Sequence, residues 1–488
     1  MPLQGPPPTT SNPLKVLVDD WRRERRATVP FPPGELSFSL KRSKQVLIDP
    51  LPLLLDCYER FGPVFTLRLM WGRVVWMIGP AANHYILVKN PKNFQWRESH
   101  FRELAWLLGD GLLTIDGEFH RRSRQIMLPA FHREQIESSV ATIVEEGERA
   151  LDRLEVGDRF DFFFWTRRVA LRVAMRAVFG LDPDGETARE IDAARLFTEA
   201  LSFYSEGPIK RMLRGPGTPW ARMQRARRKL DRMIYAEIER RRRTGERGLD
   251  VLSLLLDATD EEGNRLTDRQ IRDEVMTLLF AGHDTTTATM AFMFYELALN
   301  PDLQRPLIAE QEAGLRGPGG LRKPTAKDVN GEGLPELEMV LCETLRKYPP
   351  AWIGPRRSIE PFEFEGVQVP GDVYVNYSSW VTHHLEEYYP EPERFIPTRF
   401  TPENRAKLPK GAYVPFGGGS RTCIGMRFGE TEIRTLATLL LQRFSLEVPS
   451  DYRLTIRQAP TIGPNGLPVV VAERPAPAVR REPLPAAA

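Results

Sequence analysis

Apolar and polar residues alternate twice early in the chain, in Pro63-Val-Phe-Thr-Leu-Arg-Leu69 and in Arg73-Val-Val-Trp-Met-Ile78. With Met70-Trp-Gly72 between them, the two runs predict a β-hairpin. From about Asn83 to Leu299 the apolar spacing becomes helical, broken at Gly180-Leu-Asp-Pro183 and Gly215-Pro-Gly217. Period-two alternation returns from Arg356 to Tyr377 around the turn Val369-Pro-Gly-Asp372, and short strands are expected from Leu454 to Val471. No internal repeat or long linker interrupts the pattern. It predicts a mainly α protein with a small β region drawn from both ends, folded as a single domain over 34–474. The proline-rich, polar segment 1–33 reads as a flexible lead-in able to pack along the surface, and 475–488, rich in Pro and Ala, as a disordered tail.

One helix stands out. Thr267-Asp-Arg-Gln270 forms a capping box, and the apolar pattern then runs to Leu299, where Asn300-Pro301 stops it. That span of about 32 residues measures roughly 48 Å and, being apolar for most of its length, should cross the middle of the molecule. Halfway along stands Ala281-Gly-His-Asp-Thr-Thr286 between the apolar flanks Met276–Phe280 and Met290–Phe294. Small residues let a bulky group approach the backbone. A threonine hydroxyl bonded to a carbonyl one turn back opens the helix locally, and an acid beside an alcohol can deliver protons. The alternative is a polar turn on a solvated face.

Composition narrows the field only a little. The hydrophobic fraction of 41% and charged fraction of 27% are those of a soluble globular protein. A formal net charge of +3 over 488 residues gives no reason to expect a nucleic-acid partner, and the run Arg240–Arg243 reads as a solvated helix end. Three cysteines, Cys57, Cys342 and Cys423, without CxxC spacing argue against a disulfide framework or a structural zinc site and fit a reducing, cytoplasmic setting. No run of about 20 apolar residues predicts a transmembrane anchor.

Three further constellations carry chemistry. Glu343 and Arg346 are three apart on one helix face, and Arg394 of Pro392-Glu-Arg-Phe395 could share the glutamate in a buried structural lock. His120 and Arg124, four apart on an early helix, could grip carboxylates, or belong to a basic surface helix. The third is the loop Phe416-Gly-Gly-Gly-Ser-Arg-Thr-Cys-Ile-Gly425. As a phosphate loop it lacks the Lys-Ser/Thr pair; as a nucleophile site it lacks a recognisable histidine base. As a cradle for a metal-bound thiolate it uses every feature. Its glycines permit close approach to a flat cofactor, a helix begins at the cysteine to stabilise the charge, Phe416 can cover the sulfur, and Arg421 can reach an anion.

Taken together, FGGGSRTCIG, AGHDTT, ETLR, PERF and the H-x-x-x-R element resemble the cytochrome P-450 family of haem-thiolate monooxygenases, in the family's order and across most of the chain. The resemblance implies the fold of that family, a triangular prism of helices around a buried haem b with a long central helix. It implies Cys423 as the iron ligand and Asp284 with Thr285 as the acid–alcohol pair that delivers protons to dioxygen. It implies Glu343, Arg346 and Arg394 as the structural triad. Ala281 would lie over the haem, Phe416, Gly419 and Gly425 would shape its loop, and His120, Arg124 and Arg421 would hold the propionates. Arg356, or Arg357 beside it, would add a further propionate contact. His120 stands where many relatives have tryptophan.

The same resemblance implies O2 and electrons ultimately from NAD(P)H. The chain ends 65 residues after Cys423, so no reductase is expected to be fused; a separate ferredoxin or flavodoxin is the expected partner of a monomer, docking at Arg121, Arg122, Lys407, Lys410 and Arg427. The expected pocket is apolar and aromatic, from Trp96, Phe101, Trp106, Leu279, Phe280, Ala281, Trp352, Ile353 and Thr461-Ile462, with Phe203 and Tyr204 as a roof. It favours hydroxylation or epoxidation of a lipophile such as a fatty acid, terpenoid or steroid. A haem-thiolate peroxygenase, which would not need Asp284 and Thr285, and a non-catalytic haem-binding protein are the alternatives.

Overall fold

The computed structural model describes residues 6, 10–181, 183–184, 192–248, 250–259, 263 and 265–475. The tail 476–488 lies outside them. Strands Val64–Leu69 and Gly72–Met77 form the expected hairpin, with Val64 opposite Met77 and Leu69 opposite Gly72. It joins a six-stranded sheet in which Gly72–Met77 pairs in parallel with Tyr374–Tyr377, which in turn pairs with Gly354–Ser358. A second sheet brings Pro468–Glu473 between Phe444–Glu447 and Arg159–Asp161, so the β region does collect distant parts of the chain.

The central helix spans Asp268–Leu299, 32 residues. Its capping box is formed, with Gln270 N–H donating to Thr267 Oγ1 at 3.2 Å and Thr267 N–H to Gln270 Oε1 at 2.9 Å. Helices Phe162–Val173, Pro219–Thr244, Pro335–Lys347 and Met426–Arg443 all pack on it. Being covered on most sides, it shows no clean amphipathic stripe, as a core helix should not.

The N-terminal segment departs from expectation. Pro13–Arg25 is a helix, capped by the Asn12 side chain, which accepts from Leu14 N–H at 3.0 Å. Asp20 on its inner face is buried and takes hydrogen bonds from Arg102 at 2.5 Å, Arg357 at 2.9 Å and the Tyr374 hydroxyl at 2.7 Å. Reading 1–33 as a flexible lead-in missed this because the partners of Asp20 stand 82 and more residues away in sequence.

Glu343 and Arg346 form a fully buried bidentate pair on helix Pro335–Lys347, with N–O distances of 2.7 and 2.9 Å. Arg346 also donates to the main-chain carbonyls of His383 at 3.0 Å, Pro392 at 2.8 Å and Arg394 at 3.3 Å. The third side chain is not Arg394, which is exposed and bonded to Glu391 at 2.6 Å. Arg399 takes the place, its Nε 3.4 Å from Glu343 Oε1. The chain carries two Pro-x-Arg-Phe units in tandem, Pro392–Phe395 and Pro397–Phe400; the first lends its backbone and the second its side chain. Breaking a buried pair costs about 3–5 kcal/mol, whereas an exposed substitution stays within about 0.5 kcal/mol. Urea unfolding should therefore show Arg346→Ala in the first range and Arg394→Ala in the second, with Arg399→Ala clearly worse than Arg394→Ala. Equal effects for the two arginines of the tandem would reject the assignment.

Candidate active site

The loop before helix Met426–Arg443 is closed on itself. Cys423 N–H donates to Phe416 O at 3.0 Å and Thr422 N–H to Gly419 O at 3.2 Å. Gly419 sits at φ +61°, and a Cβ there would lie 2.0 Å from Leu87 O, so no other residue fits. The helix starts three residues after the cysteine, with Gly425 as its cap. Burial pushes the Cys423 thiol up, while the Gly425 N–H and the Arg124 guanidinium favour the thiolate. Yet Cys423 has exposed surface. Both hold if the sulfur faces a space inside the molecule rather than bulk water. Phe416 is half-buried in the same loop.

Beside the thiol lies a concentration of positive charge. His120 and Arg124 come from helix Gly117–Met127, Arg421 from the loop and Arg356 from strand Gly354–Ser358. Arg356 and Arg421 lie over the Trp96 ring, 4.0 and 5.0 Å from its centroid. Burial lowers Arg421 to about 10, despite Asp116 at 2.7 Å, and lowers Arg356 as well. Burial, with Arg421 and Arg124 nearby, brings His120 down to about 3, so its imidazole is neutral. The Nη1 of Arg421 is buried without a partner among the described residues. Strand parity separates the two arginines the sequence left undecided: Arg357 points the other way, to Asp20 and Asp372.

On the central helix, Ala281 and Thr285 are half-buried and Gly282 is exposed, while His283, Asp284, Thr286 and Thr287 beside them are buried. A bare strip one turn long therefore interrupts an otherwise covered helix. The helix stays α throughout, so the expected opening amounts only to the carbonyl of Ala281, which accepts from Thr285 Oγ1 at 2.8 Å.

Asp284 is fully buried and fully engaged. It pairs with Arg167, with Arg457 at 2.9 and 3.0 Å, and with the Thr461 hydroxyl. Burial alone would raise its pKa; Arg457 and then Arg167 overbalance it and hold the carboxyl well below the usual range. Both arginines escaped the sequence reading. Arg167 carried a signal, since it lies four residues after Phe163 on the apolar stripe of helix Phe162–Val173, where a charge needs a partner.

The expected pocket divides. A cavity of about 300 Å³ is lined by Phe101, Trp106, Tyr204, Trp352 and Ile353, among others. Leu279, Phe280 and Ile462 are buried and do not line this cavity. The helix turns Leu279 and Phe280 away from the strip at Ala281 and Gly282. Trp96 lies under the arginines and stacks on Phe101 with 5.0 Å between rings. Phe203 is buried among Trp106, Tyr204 and Trp220.

These features invite comparison with known proteins. The cytochrome P450 family profile matches residues 37–465. Cyclooctat-9-en-7-ol 5-monooxygenase of Streptomyces melanosporofaciens is 34% identical over 79% of this chain and 83% of its own. Taxane 10-beta-hydroxylase of Taxus cuspidata is 29% identical over 89% and 88%. Among solved structures, the retinoic acid-bound cyanobacterial CYP120A1 superposes with a TM-score of 0.80 at 28% identity, over 91% of this chain and all of that one. The cytochrome P450DA haem domain gives 0.79 at 25%, over 92% and 99%. Among the described residues no helix is long and apolar enough to cross a membrane. The chain belongs to the cytochrome P450 family, and it is a monooxygenase with haem b as its cofactor.

Proposed function

We propose that Cys423 supplies the thiolate ligand of haem b, and that His120, Arg124, Arg356 and Arg421 hold its propionates. The observation that carries this is the unbalanced charge beside the thiol. Three guanidiniums, of buried Arg356 and half-buried Arg124 and Arg421, have one carboxylate, Asp116, among the described residues to answer them. Two carboxylates are wanting, and haem b brings two. Bound there, the haem supplies oxygen activation, which a thiolate ligand favours by donating electron density. The strip at Ala281, Gly282 and Thr285 gives dioxygen and substrate a face free of bulky side chains.

Asp284 and Thr285 govern proton entry in this reading. A carboxylate held by two guanidiniums is ionised and has no proton to give. To relay one it must exchange Arg457 or Arg167 for water, so the ion pairs act as a gate. Thr285, its hydroxyl proton directed at Ala281 O, keeps its oxygen lone pairs to accept a hydrogen bond.

The substrate class is a terpenoid, hydroxylated or epoxidised; the likeness to a cyclooctat-9-en-7-ol monooxygenase and a taxane hydroxylase supports this over fatty acids and steroids. Electrons come from a separate ferredoxin or flavodoxin with its NAD(P)H-dependent reductase, drawn to an exposed basic face at Lys407, Lys410 and Arg427. Arg121 and Arg122 contribute less, since both pair with Glu118. A cytoplasmic setting suits Cys57 and Cys342, which are buried and unpaired.

The primary test is the reduced carbon-monoxide difference spectrum. Cys423→Ser should lose the thiolate-type band and monooxygenation; a band that survives would dismiss the ligand assignment. Thr285→Ala should keep the band and lower coupled product formation by about 10²-fold while oxygen consumption continues. Charge reversal at Lys410 and Arg427 together should slow the second-order rate of reduction by about tenfold at low salt, the difference shrinking as ionic strength rises. Stopped-flow rates indifferent to both salt and reversal would remove this face as the docking site.

A further inference from the structure

The 300 Å³ cavity lies between the N-terminal helix Pro13–Arg25 and the six-stranded sheet. Its floor is one face of that sheet. Strand parity puts Val74, Trp76, Tyr374 and Asn376 on this face, with Pro355 opposite Asn376 in register. Val75, Val375 and Tyr377 go to the core on the other side. An asparagine among valine, tryptophan, tyrosine and proline breaks the pattern.

Asn376 is 1% exposed, and among the described residues nothing hydrogen-bonds its carboxamide, whose Oδ1 is buried without a partner. A buried amide left unmatched is costly, and a central strand favours a β-branched residue there. A partner outside the protein accounts for both facts. A second polar group stands nearby. The His100 ring stacks on Tyr374 with 4.1 Å between centroids, and its Nε2 is likewise buried without a partner. Tyr374 and Asn376 are two strand residues apart on the same face, roughly 7 Å. Burial, reinforced by Arg102, lowers His100 to about 3, so the ring is neutral and offers one donor and one acceptor.

The charged groups around the cavity already have counter-ions. Asp20 is held by Arg102 and Arg357, and Arg211 by Glu103 at 2.5 Å. A carboxylate entering the cavity would find these cations engaged. A hydrocarbon would leave Asn376 and His100 unmatched. We infer that the cavity recognises a lipophilic molecule that already carries a neutral oxygen, a hydroxyl or a ketone, through Asn376 and His100.

The inference rests on the proposed monooxygenase reading and deepens it. The cavity shares Phe101, Trp106, Trp352 and Ile353 with the expected substrate pocket. The substrate then arrives oxygenated. The preceding reaction then installs that oxygen: a hydroxylation, or a cyclisation whose carbocation is quenched by water, gives the alcohol, and a two-electron oxidation of that alcohol by a dehydrogenase gives the ketone.

The test uses the haem-loaded enzyme and two matched sets: ent-kaurene, ent-kaurenol and ent-kaurenoic acid; hexadecane, hexadecanol and palmitic acid. Binding is read by calorimetry and by the haem spin-state change. In at least one set the alcohol should bind at least about tenfold tighter than both companions. Asn376→Leu should remove that preference while leaving hydrocarbon affinity in place, and His100→Phe, which keeps the stack, should reduce it. The carbon-monoxide band verifies that each variant is folded and loaded. Equal affinities within both sets, no binding in either set, or a preference unchanged in both variants would overturn the inference. The two readings fail differently: an alcohol preference without product under a competent redox system would count against the monooxygenase reading alone, and product without preference against this inference alone.

Discussion

A helix buried along most of its length cannot leave its polar side chains to water, and this constraint organises the molecule. The charged groups buried on Asp268–Leu299 are met by different neighbours, whereas His283 and Thr277 Oγ1 have no partner among the described residues. Arg272 reaches Asp231 at 2.6 Å and Leu108 O at 2.8 Å; Asp273 and Glu274 accept from the backbone of Asp110 at 2.9 Å and Leu112 at 2.8 Å. Asp284 draws in Arg167 and Arg457. Glu296 takes Lys347 at 2.9 Å and Tyr348 at 2.6 Å. One element thereby positions the early loops, three helices and a late strand. Satisfying these groups and orienting the site are a single requirement, because burying them unmatched would destabilise the fold.

The same electrostatic logic runs in opposite directions on the two sides of the site. Around Asp284 the charges are answered, and more than answered, by guanidinium groups. Around Arg124, Arg356 and Arg421 they are not. A protein interior tolerates such an imbalance only where something of the other sign completes it. One half carries its own counter-ions, and the other an excess of positive charge.

What could be read from the sequence follows from how local each signal is. The capping box at Thr267, the hairpin at Met70-Trp71 and the glycine-rich loop are contained within a few residues, and their chemistry is legible there. The choice between Arg394 and Arg399 is not, because tandem units of the same form differ only in which one the backbone turns toward Glu343. Arg356 and Arg357 were inseparable until strand pairing fixed which face each occupies. Leu279, Phe280 and Ile462 look like pocket residues by composition, but a helix or turn shows only part of its circumference to a cavity. Arg457 and Asp20 act over separations of 173 and 337 residues, beyond any local pattern.

Arg346 grips the carbonyls of His383, Pro392 and Arg394, not their side chains. A main-chain acceptor is present whatever residue carries it. At these three points the segment that leads to the cysteine loop is anchored by contacts blind to its own sequence, and Arg399 adds one that is not. Substitutions can accumulate along its exposed surface, and new partners or crystal neighbours can be accommodated there, while the path of the backbone stays fixed. The arginine itself has no such latitude, since lysine offers neither the planar fork nor enough donors to hold a carboxylate and three carbonyls together.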